Sequence, residues 1–360
     1  MEFYRAAVVG TGAIANAHAE ALRALGSRIS LTAVVDVDPA RARAFADAWE
    51  VPTVAPNLPT LLATGDVDLV HVCTPPSTHT ALALQCLEAG VTVLLEKPPT
   101  LSLAELDTLI DASERTGAHV ATVFQQRFGP GIRRLRTLAA DGDLGAPLLA
   151  TCHTHWYRDD AYYTALPWRG RWETEGGGPT MGHGIHQFDL LLSILGDWEQ
   201  VTAVAARRSR PTDTEDVSLA VVTFASGAVA SVVNSVVSPR QVSALRIDYA
   251  HATIELDHLY GYTDDNWTVT PAPGHEHLTA AWAGAPSTSG NGHTAQLAAV
   301  LDALDAGAAP PVSLADTRVT VEFIAALYAS AFTGRPVRAG QIGPDDPFAK
   351  RMDGTGAPWQ

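Results

Sequence analysis

The sequence predicts an α/β protein: an N-terminal doubly wound parallel sheet of the Rossmann type, then an α+β domain built on a large, mostly antiparallel sheet. Three observations carry this. A glycine-rich turn, Gly10-Thr11-Gly12-Ala13-Ile14-Ala15, lies between an apolar strand and a helical pattern. Short buried strands then alternate with helices as far as Phe124, with no hairpin signals between them. After Phe128 the pattern becomes strand upon strand, joined by turns such as Ala225-Ser226-Gly227.

The chain's 360 residues exceed a typical single domain, so it divides into a nucleotide-binding domain over 1–124, a substrate-binding and oligomerisation domain over 125–340, and a polar tail over 341–360. With 46% hydrophobic residues it can fill two cores. A net charge of -15 argues against a nucleic-acid surface, which needs clustered positive charge. No apolar run is long enough to span a bilayer. The start, MEFYRAAVVG, reads as a buried strand rather than a signal peptide. Cys73, Cys86 and Cys152 show no paired spacing and read as reduced thiols of a cytoplasmic protein.

The first strand (residues 4–10) leads into the glycine turn. Gly10 permits the tight turn, Gly12 admits a pyrophosphate close to the backbone, and Ala15 lets the next helix pack closely; Thr11, Ala13 and Ile14 complete the cradle. The second strand ends at Asp36, whose carboxylate suits the two hydroxyls of an adenosine ribose, although an Asp there can also cap the helix from Pro39. With Asp38 beside it, a 2'-phosphate is disfavoured, so NAD is expected in preference to NADP. A further strand delivers Thr74-Pro75-Pro76-Ser77-Thr78-His79, and another delivers Glu96-Lys97-Pro98. Gly10, Asp36, Thr74 and Lys97 thus all fall at carboxyl ends of strands, where such sheets bind ligands. Lys97 and Lys350 are the chain's two lysines among 24 basic residues, so a lysine inside a motif points to a need for an ammonium.

The second domain opens with a basic helix over 129–140 that reads as a solvated face, followed by strands from Pro147 onward. Between them lies Gly176–Gly196, three glycines followed by His183, His186, Asp189 and an apolar helix. The segment 261–291 reads as a long loop with a strand near Trp267–Thr270, and helices follow over 294–306 and 314–333.

These pieces together resemble the glucose–fructose oxidoreductase, inositol dehydrogenase and rhizopine catabolism family: GTGAIA at 10–15, Asp36, TPPSTH at 74–79, EKP at 96–98, GGG at 176–178 and Gly184-x-His186-x-x-Asp189, in family order over nearly the whole chain. The resemblance implies a nicotinamide cofactor, a sugar or cyclitol substrate, and a homodimer or homotetramer formed through the C-terminal sheet. It implies that Thr74, Pro75 and His79 line the cofactor, that Lys97 hydrogen-bonds the reacting hydroxyl, that Glu96 orders Lys97, and that His186 contacts the same hydroxyl as general base. The chemistry agrees: oxidising an alcohol needs a hydride acceptor and a base for the hydroxyl proton, and a histidine titrates in the right range.

The chain departs from the pattern at Gly182, where many members carry Asp or Asn. His183 can substitute as a polar contact, and Asp189 can orient the imidazole or bind a substrate hydroxyl. A metal at His183 and His186 is set aside for want of a third ligand at a recognisable spacing, so none is assigned. Ahead of the glycines, His153, His155 and Tyr157 alternate along a strand, and Trp168, Arg169 and Trp172 follow. Aromatic faces stack on sugar rings and Arg pairs with hydroxyls or carboxylates, so Tyr157, Trp168, Arg169 and Trp172 are candidate substrate contacts, with domain packing as the plainer role. Two other activities fit the resemblance: glycoside cleavage through transient oxidation by bound NAD, and a non-catalytic NAD-binding regulator.

Overall fold

A computed structural model describes residues 3–283 and 292–359. The chain forms two compact units. The first takes the chain up to Thr100, with Ala104–Val123 and His293–Arg318; the second takes Leu101–Leu103, Phe124–Gly292 and the chain from Val319.

In the first unit, strands β1 (Tyr4–Val9), β2 (Ile29–Val35), β3 (Thr53–Val54), β4 (Leu69–Val72), β5 (Thr92–Leu95) and β6 (Val120–Thr122) form one parallel sheet in the order β3-β2-β1-β4-β5-β6. The strands β4, β5 and β6 are wholly buried, which is why they read as continuous apolar runs rather than alternating ones. Ala15, Ala19 and Leu22 of the helix Ala15–Ala24 pack into a core with Ala6 and Val8 of β1. Leu297, Val300 and Leu301 of the helix Gly292–Asp305 join that core. The segment His293–Arg318, expected in the second domain, is therefore part of the first, because its apolar stripe closes this sheet.

The second unit holds β7 (Pro147–Tyr157), β8 (Trp198–Ala206), β9 (Val217–Phe224), β10 (Val229–Ser235), β11 (Val237–Tyr249), β12 (Ala252–His258), β13 (Trp267–Pro271) and β14 (Val337–Arg338) in the order β13-β12-β11-β7-β10-β9-β8-β14. All pairs are antiparallel except β7 with β10. The helix Ile185–Leu195 packs on β7 and β11. The opposite face carries the exposed apolar side chains Leu149, Val204, Leu219, Val221 and Val229.

Two expectations are corrected. The tail is not a polar loop: Asp346 caps a helix over Pro347–Lys350, Ile342, Phe348 and Met352 are buried, and the Trp359 ring lies 5.2 Å from that of Phe332. Its apolar residues are single and set among Gly, Pro and Asp, so they leave no periodic trace. The long loop contains β13, a short turn over Asp264–Asn266 and a helix over His277–Trp282, while 284–291 lie outside the described residues.

Candidate functional site

The cofactor cradle is built at the carboxyl ends of β1, β2, β4 and β5. Gly10 has φ +89°, and a Cβ there would sit 2.7 Å from Thr74 Cγ2 and 2.9 Å from the Cys73 carbonyl carbon. Only glycine meets both demands. A Cβ on Gly12 would meet nothing within 4 Å, so the space over that residue is open. Among the described residues, the amides of Gly12, Ala13 and Ile14 donate to no protein acceptor. They stand at the N-terminus of the Ala15–Ala24 helix, which makes the turn a fitting receptor for a pyrophosphate.

Asp36 follows β2. Its Oδ2 accepts the Thr11 amide and hydroxyl, both at 2.8 Å, and its Oδ1 accepts the Asp38 amide at 2.9 Å and Arg41 at 2.8 Å. Burial by itself would raise its pKa; the amides of Asp38 and Thr11, the Thr11 hydroxyl and Arg41 outweigh that and hold the carboxyl below its usual range. The charge of Arg41 is spent on Asp36 and Asp38, so it offers no free cation for a 2'-phosphate.

After β4, Pro75 turns the chain into the short helical turn Pro76–Thr78. The Thr78 hydroxyl donates to Thr74 Oγ1 at 2.7 Å. His79, expected among the cofactor residues, is fully buried with Nδ1 2.8 Å from the Pro98 carbonyl and Nε2 2.8 Å from the Thr74 carbonyl. It stitches the two cradle loops together. After β5, Glu96 is buried; its Oε1 lies 3.0 Å from His18 Nε2, and its Oε2 accepts the Lys97 amide at 3.1 Å. His18 Nδ1 in turn lies 2.8 Å from His71 Nδ1. Burial would push Glu96 up, but His18 and His293 hold it well below the carboxylate range. Sequence reading missed this buried network: His18 lay in an unremarkable helix and His71 inside a strand. His18, Glu96 and His293 present ligand-type atoms within 4.8 Å of one another, a grouping that no sequence spacing announced.

In the second unit two of the three glycines have a steric cause. A Cβ on Gly178 would collide with the Glu215 carbonyl, and one on Gly177 with the Tyr328 hydroxyl. Glu215 accepts the amides of Gly178 at 3.1 Å and Thr180 at 3.0 Å, and the Tyr328 hydroxyl at 2.9 Å. Burial lifts the pKa of this carboxyl in spite of those bonds. Thr180 also reaches Ser218 at 2.8 Å, and Gly184 abuts Asn234, so the turn is pressed onto β9 and β10. There the chain makes a single wide π turn over Thr180–Gly184 before the helix Ile185–Leu195 begins.

That turn places the two histidines. His183 is buried with its ring 5.0 Å from Trp156 and 6.1 Å from Tyr162. His186 is buried edge-on to Phe124 at 6.3 Å and Tyr260 at 6.0 Å. At Gly182, where an acid was missed, a Cβ would lie 3.5 Å from Glu175 Oε1. A buried carboxylate from just ahead of the glycines thus stands in contact with the place where a residue 182 side chain would begin.

Asp189 has partners that the sequence did not announce. It is fully buried, pairs with Arg127 through two bonds of 2.6 Å, and accepts the Thr320 hydroxyl at 3.1 Å. Trp172 is likewise a core residue: its ring packs 5.1 Å from Tyr328 and its Nε1 donates to the Asp213 carbonyl at 2.9 Å. Tyr157 alternates with buried Trp156 on β7, so it shares the outer face with His153 and His155, away from His183. Arg169 and Trp168 do join the platform: the Arg169 guanidinium lies 3.8 Å over Tyr162 and 4.7 Å over Trp168. Trp156, Tyr162, Arg158 and Glu175 belong to the same neighbourhood, and β-strand alternation was the signal that could have picked Trp156 over Tyr157.

Comparison with known proteins places this architecture. Residues 4–124 match the oxidoreductase family with an NAD-binding Rossmann fold, and residues 132–255 match the GFO/IDH/MocA C-terminal domain. The chain is 30% identical over 238 residues to myo-inositol 2-dehydrogenase of Thermotoga maritima, covering 64% of this chain and 68% of that one. It is 26% identical to D-glucoside 3-dehydrogenase of Escherichia coli, covering 92% of this chain and 97% of that one. Among solved structures, the WlbA dehydrogenase of Chromobacterium violaceum, in complex with NADH and UDP-GlcNAcA, superposes with a TM-score of 0.84 at 26% identity, over 95% of this chain and 98% of that one.

Proposed function

The chain belongs to the GFO/IDH/MocA family of oxidoreductases, and from that premise we propose that Lys97 and His186 are the side chains acting on the reacting hydroxyl of its substrate. The protein is an NAD-dependent oxidoreductase that moves a hydride between a secondary hydroxyl of a sugar, sugar derivative or cyclitol and the nicotinamide. The observation that carries the cofactor half is the set of open amides of Gly12, Ala13 and Ile14 at a helix N-terminus, with Asp36 at the end of the next strand. Bound there, NAD supplies the hydride acceptor.

His186 takes the hydroxyl proton as the carbinol carbon is oxidised and returns it in the reverse direction. The Lys97 ammonium donates to the same oxygen and stabilises the charge that develops on it. Supporting this, Lys97 sits just after β5 beside a Glu96 that His18 clamps in place, and His186 lies in the first turn of a buried helix. Glu175 provides the carboxylate that the family pattern expects at residue 182.

We also propose a homodimer or homotetramer formed by a second copy on the outer sheet face, where Leu149, Val204, Leu219, Val221 and Val229 are exposed. Among the described residues, no helix is long and apolar enough to cross a membrane.

The experiment mixes the protein and NAD with a panel of sugars, glycosides and cyclitols and follows NADH absorbance and aglycone release together. Net NADH with one class of sugar is the expected result. Aglycone release without net NADH would replace the reading with transient-oxidation glycoside cleavage, and no turnover with NAD tightly held would replace it with a binding protein.

A further inference from the structure

Several arginines of the second unit sit on carboxylates, among them Arg127 on Asp189, Arg134 on Asp264 and Arg246 on Asp248. Arg158 and Arg169 do not. Both are half-buried, and among the described residues neither has a carboxylate within ion-pair distance. Instead each is placed over aromatic rings. Arg158 lies 4.7 Å over Trp156 and 5.1 Å over Tyr162; Arg169 lies 3.8 Å over the same Tyr162 and 4.7 Å over Trp168.

Stacking secures the plane of a guanidinium and leaves its N–H edges for another partner. Those edges are underused. Arg158 gives Nη1 to the Tyr157 carbonyl at 2.9 Å and a long contact to Gln241 at 3.5 Å, while its buried Nε has no acceptor. Arg169 makes no hydrogen bond to the protein through its guanidinium among the described residues. The nearby acid, Glu175, spends Oε2 on the Gly170 amide at 2.6 Å.

Holding two such cations together is unfavourable. Burial lowers the pKa of Arg158; burial also lowers that of Arg169, Glu175 opposes this, and the charge of Arg158 lowers it again. In a protein with a net charge of -15, the two cations share the Tyr162 ring with no ion pair to either among the described residues. Half-buried guanidinium groups of like charge held side by side on one ring become favourable when an oxyanion binds both. The platform also contains His183, whose ring lies 5.0 Å from Trp156 and 6.1 Å from Tyr162, so the anion would be carried by the molecule whose hydroxyl is oxidised.

We propose that the substrate is an anionic sugar, and that Arg158 and Arg169 grip its oxyanion through their N–H edges while Tyr162, Trp156 and Trp168 hold the guanidinium planes. This rests on the dehydrogenase reading above and narrows its substrate class. The oxyanion is a carboxylate of a sugar acid or a phosphate of a sugar phosphate or sugar nucleotide; both take a bidentate arginine.

The test compares kcat/KM with NAD for matched sets: a neutral hexose or methyl hexoside, its uronic acid, its sugar phosphate and its UDP-sugar. One anionic class is expected to exceed its neutral counterpart by about 100-fold or more. The Arg169→Gln and Arg158→Gln variants should cut that acid-to-neutral ratio by about 10- to 100-fold, chiefly through KM, and Arg→Lys should restore it only in part. Thermal melting and NAD titration of each variant verify that it is folded. Preference for the uronic acid identifies a carboxylate, and preference for the phosphate or UDP-sugar identifies a phosphate. Neutral and anionic sugars oxidised equally well, with the ratio unmoved in the variants, would overturn the anion inference and leave the dehydrogenase standing. Failure of every sugar to reduce NAD would overturn the dehydrogenase reading beneath it.

Discussion

Gly10 and Gly12 do opposite jobs two residues apart. At Gly10 a methyl group meets Thr74 and the Cys73 backbone and the backbone lies at φ +89°, so Gly10→Ala should cost about 1–3 kcal/mol of stability, seen in urea unfolding. At Gly12 a methyl group meets no protein atom, so Gly12→Ala should fold normally and lose NAD affinity instead, measured by calorimetric titration. Lys97 is the residue on which the chemistry depends. Lys97→Ala should lower kcat by about 100-fold or more while NAD affinity stays close to wild type, and a variant at the wild-type rate would remove Lys97 from the mechanism. The fingerprint glycines, Asp36 and Lys97 were legible because each is a rare residue type at a fixed place after a strand. Glu175 and the His18–His71–Glu96 network were not, since contacts between residues far apart in sequence, such as His18 and Glu96, leave no local pattern.

At the scale of elements, the helix Ile185–Leu195 is pinned at its entry and from within. Glu215 and Asn234 press its entry onto the sheet, and Asp189 holds Arg127 and Thr320 from within it. Breaking the buried Asp189–Arg127 pair leaves an uncompensated cation. Asp189→Ala should therefore destabilise the second unit by about 3–5 kcal/mol, read as a lower melting temperature, whatever it does to turnover. Sequence reading saw the helix and its histidines clearly. It did not reveal the core partners of Asp189 and Trp172, because a polar or aromatic residue beside a site looks the same in sequence whether it faces the ligand or the core. The same holds for Tyr157 against Trp156, where one step along β7 reverses the face. The helix Gly292–Asp305 was seen as a helix, but the sheet that its stripe covers is decided by chain return, which periodicity does not encode.

For the whole molecule, acid should be destabilising. Burial lowers the pKa of His71 and of His18, the latter against the pull of Glu96, and burial depresses His258 to about 4. The unfolded chain takes protons on these rings near pH 6.5 and the folded chain does not, so stability is full above that pH and falls as pH drops from about 6.5 to 4. For His258 the loss is of the order of 3 kcal/mol, checked by melting temperature across that range. The apolar outer sheet face makes a second prediction. Val221→Lys should shift the protein toward monomer in light scattering, with the fold retained by circular dichroism, because Val221 is 54% exposed in a single chain. An unchanged mass would place any association on another face.

The central claim is that a hydride passes from a sugar carbon to NAD. A fully deuterated substrate, chosen from the panel as the sugar that reduces NAD, tests it in one measurement by mass spectrometry of the reduced cofactor and the sugar product. Hydride transfer from the sugar carbon gives singly deuterated NADH in equal amount to a keto sugar. Unlabelled NADH, or a cleaved sugar with no net reduced cofactor, would contradict it.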